Sequence, residues 1–137
     1  MVVLSFRECW KCAVDRTKFR TYRWNLGWWL ARKKKKRKLR LDIYCPGPRS
    51  RRKVLIRGVV GLHWRVTGVL GSAITEEDAK ADGFESLAKM KQFIMDHTKV
   101  DGKKMTEQMF LEHEWGCIQW DKPDARESLT GWELHGC

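Results

Sequence analysis

The sequence predicts an α+β fold in which helices pack at the side or mouth of a small β-barrel. Three observations support this prediction. Residues 38–44 alternate charged and apolar side chains, which is typical of a half-buried strand. Residues 54–69 are β-rich and contain three glycines, as the bent strands of small barrels often do. Thr75 and Ser86 each precede a stretch with helical features.

The first part of the chain consists mostly of strand-like segments. Residues 1–6 form an apolar run that predicts a buried strand, and residues 7–15 have helical content. Residues 18–22 follow the period-2 pattern of a short strand. Residues 24–29 are aromatic and contain a glycine that permits a turn, and a lysine run follows them. We therefore expect one helix among several strands in this part.

The second part of the chain carries the helix signals. Acidic residues follow Thr75, which indicates an N-cap and a first turn. Ser86 caps a second predicted helix, in which apolar residues recur at helical spacing. Residues 100–106 read as a polar connection and residues 115–120 as a closing strand. The pattern assigns no element to residues 121–137, a C-terminal tail whose role it does not indicate.

The positive charge is concentrated in one segment. The net charge is +11, and residues 31–53 contain twelve Lys or Arg against one acid, Asp42. Such a field attracts polyanions, of which nucleic acid is the commonest in cells. A basic block is also typical of a disordered tail or a localisation signal. Because this one runs directly into strand-like sequence, we expect a loop-and-strand patch within the fold.

Composition excludes several classes of protein. The length of 137 residues suits one domain that buries a core without disulfides. No apolar run approaches the length of a membrane span, and the apolar segment at residues 1–6 is too short for a signal peptide. We therefore expect a cytoplasmic protein with no membrane partner. Five cysteines make a disulfide framework unexpected. Cys9 and Cys12 form a C-x-x-C without a second pair, so we expect no metal and no cofactor.

The segment 16–23 carries the most suggestive chemistry. Basic side chains alternate there with aromatic and hydroxyl side chains. On a strand, Thr21 and Arg23 share a side, and Lys18 enters from the strand's start. These three groups suit a phosphate or a polarised carbonyl, or the activation of Thr21 as a nucleophile. The alternative is a solvated basic strand edge that discourages aggregation.

Two motifs resemble those of a known family. Lys18-Phe19-Arg20-Thr21-Tyr22-Arg23 fits the G-x-K-x-x-[ET]-x-R signature of the ASCH family, a branch of the PUA-like β-barrels, although Arg16 replaces the usual glycine. Residues 74–84 resemble the family's helix entry, I-T-x-E-x-A-x-x-[DE]-G-F. The resemblance covers residues 1–120 and implies a PUA-like barrel with flanking helices.

The resemblance also implies a cleft between the two motifs, with RNA or a nucleotide as its ligand. One branch of the family, the acetylcytidine amidohydrolases, uses a Lys, a Thr and a Glu. Lys18 and Thr21 match that pattern, and the carboxylate falls on Asp82, one methylene shorter. Other relatives are reported as ribonucleases. In the structural alternative, Asp82 pairs with Lys18 or Arg23 and ties a helix to the strand.

We therefore predict a protein that holds RNA in a basic cleft, with single-stranded RNA as one candidate form. The alternatives are an amidohydrolase that deacetylates a modified cytidine, a ribonuclease, and a protein that docks a partner through its basic surface. In the amidohydrolase, Thr21 is the nucleophile, Lys18 the base and Asp82 the carboxylate. The residues expected to contact RNA are Arg16, Lys18, Arg20, Arg23, Trp24, Trp28, Lys33, Lys34, Lys35, Lys36, Arg37, Arg51 and Arg52.

Overall fold

The computed structural model describes residues 1–7, 20–45, 53–120 and 132–134. These ranges contain nine strands, four α-helices and a 3₁₀ turn at Gly71–Ala73. The strands are β1 (Val2–Arg7), β2 (Arg20–Arg23), β3 (Leu39–Tyr44), β4 (Val54–Gly61), β5 (Trp64–Leu70), β6 (Lys99–Val100), β7 (Lys103–Lys104), β8 (Glu114–Trp120) and β9 (Trp132–Leu134). The helices are α1 (Leu26–Lys34), α2 (Glu76–Ala81), α3 (Leu87–His97) and α4 (Glu107–Glu112).

The described strands form three sheets. The first has the order β1-β3-β4-β9, the second β2-β8-β5, and the third is the β6–β7 hairpin. In the first sheet β1 runs parallel to β3, and the other neighbours are antiparallel. The mixed α+β class is confirmed. A closed barrel is not shown by the described residues, because β4 and β5, although joined by a tight turn, pair into different sheets.

Two buried apolar clusters lie on opposite faces of the second sheet. Strand β8 contributes to both, because its successive side chains point to opposite faces. Ile118 and Trp120 belong to one cluster, whereas Trp115 and Cys117 belong to the other. The first cluster also contains β1, β3 and α1 residues, and the second contains residues of the three C-terminal helices. The predicted closing strand at 115–120 is thus confirmed and is the central strand of its sheet.

Helix α1 corrects the loop-and-strand prediction for the start of the basic segment. The sequence from Leu26 to Lys34 contains good helix formers, and three cations occupy the last turn, where they interact favourably with the helix dipole. A Cβ at Gly27 would meet nothing within 4 Å, so this glycine marks no close approach or turn. Trp29 is buried in the first cluster and anchors the helix. Burial of this side chain decides between helix and loop.

The helix signals at Thr75 and Ser86 are confirmed. Thr75 Oγ1 accepts a hydrogen bond from Asp78 N, and the Asp78 carboxylate accepts one from Thr75 N, which completes a capping box at α2. Ser86 Oγ accepts from Lys89 N at the start of α3. The predicted connection at 100–106 instead contains β7 and the N-cap of α4. Most of the helical content predicted for 7–15 lies outside the described residues, as does most of the tail.

Candidate functional site

Strand β2 and helix α2 lie in contact, although about 60 residues separate them in the sequence. Arg20 Nη1 lies 2.8 Å from Asp78 Oδ1. The backbone N–H of Tyr22 donates to Asp82 Oδ2 over 3.4 Å. Asp78 and Asp82 are one helical turn apart, so both carboxylates face the strand. The two segments that the resemblance pairs are therefore neighbours in space.

The interior of this contact holds buried polar groups. Thr21 is 4% exposed and Asp82 is 3% exposed. Arg23 Nη2 donates to the backbone oxygen of Ser5 over 3.0 Å, which joins β2 to the first sheet. Burial lowers the pKa of the Arg23 guanidinium, and attraction to Asp82 partly offsets this effect. The Asp82 carboxylate therefore compensates a buried positive charge.

Several predicted site residues have no described structure. Arg16, Lys18, Arg51 and Arg52 lie outside the described residues, so the position of the proposed Lys18 base is not described. Among the predicted catalytic residues, Thr21 lies on β2 and Asp82 is the C-cap of the neighbouring helix α2. Because Thr21 is so strongly buried, a substrate carbonyl reaches its hydroxyl only if surrounding atoms move. The described arrangement thus ties a helix to a strand, and a reaction there requires an opening.

Tyr22 and Cys117 form a buried pair that the sequence did not predict. The two residues are directly opposite in the β2–β8 register. Burial raises the pKa of Tyr22, and burial likewise raises the pKa of the Cys117 thiol. The register of β2 against β8 places these two residues opposite each other. The sequence does not reveal that register, because it does not show that the two strands are neighbours. Both groups remain protonated near neutral pH.

A disulfide is present, although the sequence made a disulfide framework unexpected. Cys45 is disulfide-bonded. Cys117 is a free and buried thiol. Among the described residues, no group of three or more His, Cys, Asp or Glu side chains is placed to hold a metal ion. The motif Cys9-x-x-Cys12 lies outside the described residues.

A basic surface forms at the end of α1. We use the name α1 basic surface for the exposed side chains of Lys34, Lys35, Lys36, Arg37 and Lys38. Lys33 is not part of it, because its Nζ donates to the backbone oxygen of Leu62 over 2.9 Å and lies over the Trp64 ring. The backbone beneath the surface is held by the core. Trp64 Nε1 donates to Arg37 O over 3.0 Å, and Val2 N donates to Lys38 O over 2.7 Å.

Asp42, the one acid between residues 31 and 53, forms ion pairs away from the α1 basic surface. Asp42 is 1% exposed and lies directly across from Arg57 in the β3–β4 register. Each Asp42 oxygen accepts a hydrogen bond from Arg40 and another from Arg57, at 3.0 to 3.4 Å. Two guanidinium groups on one carboxylate leave a local net charge of about +1. Asp42 therefore does not neutralise the α1 basic surface.

The two tryptophans predicted to contact RNA differ in their surroundings. Trp24 stacks on His113, with ring centroids 3.3 Å apart and an interplanar angle of 2°. His113 Nε2 lies 2.8 Å from Trp24 O and donates to it, since a carbonyl oxygen only accepts. Trp28 is 43% exposed, and the Arg32 guanidinium lies 4.2 Å from its ring centroid. Trp24 is thus partly buried in its stack with His113, whereas Trp28 faces solvent.

Comparisons of this chain with protein-family models, curated proteins and solved structures find no match. The resemblance to the ASCH family therefore stays a prediction that depends on its two motifs. In the part of the chain that the structure describes, no helix combines the length and the apolar character needed to cross a membrane.

Proposed function

We propose that this protein binds RNA through the α1 basic surface. The observation that carries the proposal is the run of five consecutive exposed cations from Lys34 to Lys38. Within the described residues, no carboxylate forms an ion pair with any of these five side chains. Such cations are available to phosphates, and their binding releases counterions from the nucleic acid.

The backbone under these cations supports the proposal. Hydrogen bonds from Trp64 and Val2 hold the main chain at Arg37 and Lys38, so a ligand does not have to order it. Asp42, the one acid between residues 31 and 53, is bound to Arg40 and Arg57. It therefore does not offset the positive charge of the α1 basic surface. A preorganised cationic surface of this kind suits a polyanionic chain.

The proposed RNA contacts lie at the end of α1 and not on strand β2, where the sequence predicted several of them. The Arg23 guanidinium is buried and donates to Ser5 O, and Arg20 forms an ion pair with Asp78, so neither guanidinium extends to a phosphate. The contact between β2 and α2 supports an ASCH-type, PUA-like arrangement for this part of the fold, because the resemblance places the two motifs side by side. We propose that the contact between β2 and α2 stabilises the fold and that the α1 basic surface binds the RNA.

A salt series on matched charge variants tests the proposal. The measurement is the Kd for a labelled single-stranded RNA at increasing salt, for the wild type and for a variant in which Lys34, Lys35 and Lys36 are changed to Gln. We expect the variant to bind more weakly and its log–log salt slope to be smaller by about 0.7 for each lost phosphate contact.

The control changes three exposed lysines elsewhere on the chain, Lys80, Lys99 and Lys103, to Gln. It lowers the net charge of +11 by the same three units, so it separates a local surface from overall charge. Equal weakening in both triple variants, or no salt-dependent binding by the wild type, contradicts the proposal.

Hydrolysis of an acetylated cytidine is the second candidate. The proximity of Asp82 to the strand that carries Thr21 and Arg23 favours it. The test is deacetylation of acetylcytidine by the wild type and by the Thr21→Ala variant. Turnover that disappears in Thr21→Ala makes the β2–α2 contact an active site, whereas no turnover by the wild type removes this candidate.

A further inference from the structure

Trp28 stands apart among the tryptophans whose side chains the structure describes. The buried ones are Trp29, Trp64, Trp115 and Trp120, and Trp24 is partly buried in its stack with His113. Trp28 is 43% exposed, although it lies in a folded helix. Exposure of so large an apolar ring next to a cationic surface suits a ligand that has both aromatic and anionic parts.

The neighbours of Trp28 on α1 hold it in a defined setting. Its ring contacts the buried Trp29 ring edge-on, with centroids 4.9 Å apart and planes at 79°. The Arg32 guanidinium lies 4.2 Å from the Trp28 ring centroid, within the range of a cation–π interaction. Contacts with an anchored ring and with a guanidinium restrict the orientations of Trp28, so a ligand meets a preorganised ring.

The charges nearest to Trp28 follow it along one side of the helix. Arg32 and Lys35 occur at i+4 and i+7, which places them on the same face as Trp28. Lys35, at the helix end, keeps a near-helical backbone with φ −80° and ψ 6°. At a rise of 1.5 Å per residue, this stripe extends about 10 Å from the ring to the first cations of the α1 basic surface.

From this geometry we infer that Trp28 stacks an unpaired base, so the preferred ligand of the α1 basic surface is single-stranded RNA rather than duplex. The inference rests on the proposed function and names the form of nucleic acid that this surface takes. A base on Trp28 places its neighbouring phosphates beside Arg32 and Lys35. The ring binds the base, and the cations bind the backbone.

Single-stranded RNA exposes the faces of its bases to an aromatic side chain such as Trp28, whereas a duplex does not. In a duplex the bases stack on one another, so their faces are covered and a protein contacts phosphates, sugars and base edges. Unpaired bases expose their faces and stack on aromatic side chains with little dependence on sequence. A surface of cations alone binds both forms through their phosphates. The exposed ring therefore predicts a preference that charge by itself does not provide.

The test measures three polyanions against three proteins. The polyanions are a short oligouridine, its duplex with oligoadenylate, and inorganic polyphosphate, which has no bases. The proteins are the wild type, Trp28→Ala and Trp28→Phe. We expect Trp28→Ala to weaken oligouridine binding by roughly 5- to 150-fold, the range found when a stacking aromatic is replaced by alanine. Its binding to duplex and polyphosphate should stay within a factor of about 2, because phosphate contacts are kept.

Trp28→Phe retains an aromatic ring and should recover most of the affinity for oligouridine. Thermal unfolding of each variant shows whether it is folded, and the unchanged binding of polyphosphate shows that its basic surface is intact. If Trp28→Ala weakens all three polyanions equally, or none of them, the stacking inference is overturned while the proposed function stands. If the wild type binds no polyanion at all, the proposed function and the inference are both overturned.

Discussion

The Asp82 carboxylate accepts a hydrogen bond from the backbone N–H of Tyr22, with 3.4 Å between the two heavy atoms. Asp82 directly follows the last residue of α2 and is its C-cap, so this contact joins the helix end to strand β2. The same carboxylate attracts the buried guanidinium of Arg23. A long hydrogen bond contributes little by itself. Compensation of the buried charge is the larger role of Asp82 in stability.

We predict that Asp82→Asn lowers the free energy of unfolding by about 3 kcal/mol, because it leaves the buried Arg23 charge without its carboxylate. Urea denaturation of wild type and variant measures the change. Asp101→Asn is the matched control, since Asp101 is exposed and asparagine tolerates its φ of 52°. Similar losses in the two variants would mean that Asp82 does not compensate a buried charge.

The Arg20–Asp78 ion pair should contribute measurably to stability because its side chains are only 35% and 21% exposed. A double-mutant cycle with Arg20→Gln and Asp78→Asn isolates the coupling, which we expect to be about 0.5 to 1 kcal/mol. Asparagine keeps an oxygen that accepts from Thr75 N, so the capping box survives the change. The exposed pair Lys89–Glu85 provides a comparison and should show a smaller coupling. A larger coupling at the exposed pair contradicts the prediction.

Two glycines should respond to alanine in opposite directions. A Cβ at Gly71 would overlap the backbone oxygen of Phe110, whereas a Cβ at Gly27 would meet nothing within 4 Å. We expect Gly71→Ala to destabilise the protein by about 3 kcal/mol through overpacking against backbone. Gly27→Ala should stabilise it by roughly 0.5 kcal/mol, because alanine favours the helix. Unfolding curves of the two variants check this, and effects of the same sign would be evidence against the described packing.

Alkaline pH should destabilise the protein through Tyr22 and Cys117. Burial raises the pKa of both groups in the folded state, so folding favours their protonated forms. Their contribution is complete below the unfolded pKa values, about 8.5 for Cys and 10 for Tyr, and is lost as the pH rises above them. The melting temperature of the wild type should fall more steeply over this range than that of Tyr22→Phe or Cys117→Ala. Parallel curves for all three proteins contradict the prediction.

The helix starts were predictable from the sequence because their causes are local. Thr75 and Ser86 cap helices through hydrogen bonds to residues only three positions away, and such bonds do not depend on the rest of the fold. The strand at 39–44 was predictable for a similar reason. Its charged side chains and its apolar ones alternate, and this alternation separates the two faces of a sheet.

The roles of the basic residues were not predictable in the same way. Local sequence makes Arg23 and Lys34 look alike, yet the Arg23 guanidinium is buried and donates to Ser5 O, whereas Lys34 is exposed. Helix α1 was missed because its aromatic start resembles a turn, and only the packing of Trp29 against Trp64 gives the helix a buried side. Cationic residues that look alike in the sequence therefore differ in burial and in hydrogen bonding once the chain has folded.

The sequence by itself determined the α+β class, the capped helices and the concentration of charge between residues 31 and 53, because each depends on neighbouring residues or on composition. The tertiary structure alone decided which strands pair, which cations remain exposed and that the Asp82 carboxylate attracts the Arg23 guanidinium. These outcomes depend on contacts between residues far apart in the chain, such as the 60 positions that separate Tyr22 from Asp82. A side chain becomes buried only when those contacts form. The free energy that a buried charge costs, or that a buried aromatic ring contributes, is therefore set by the tertiary structure.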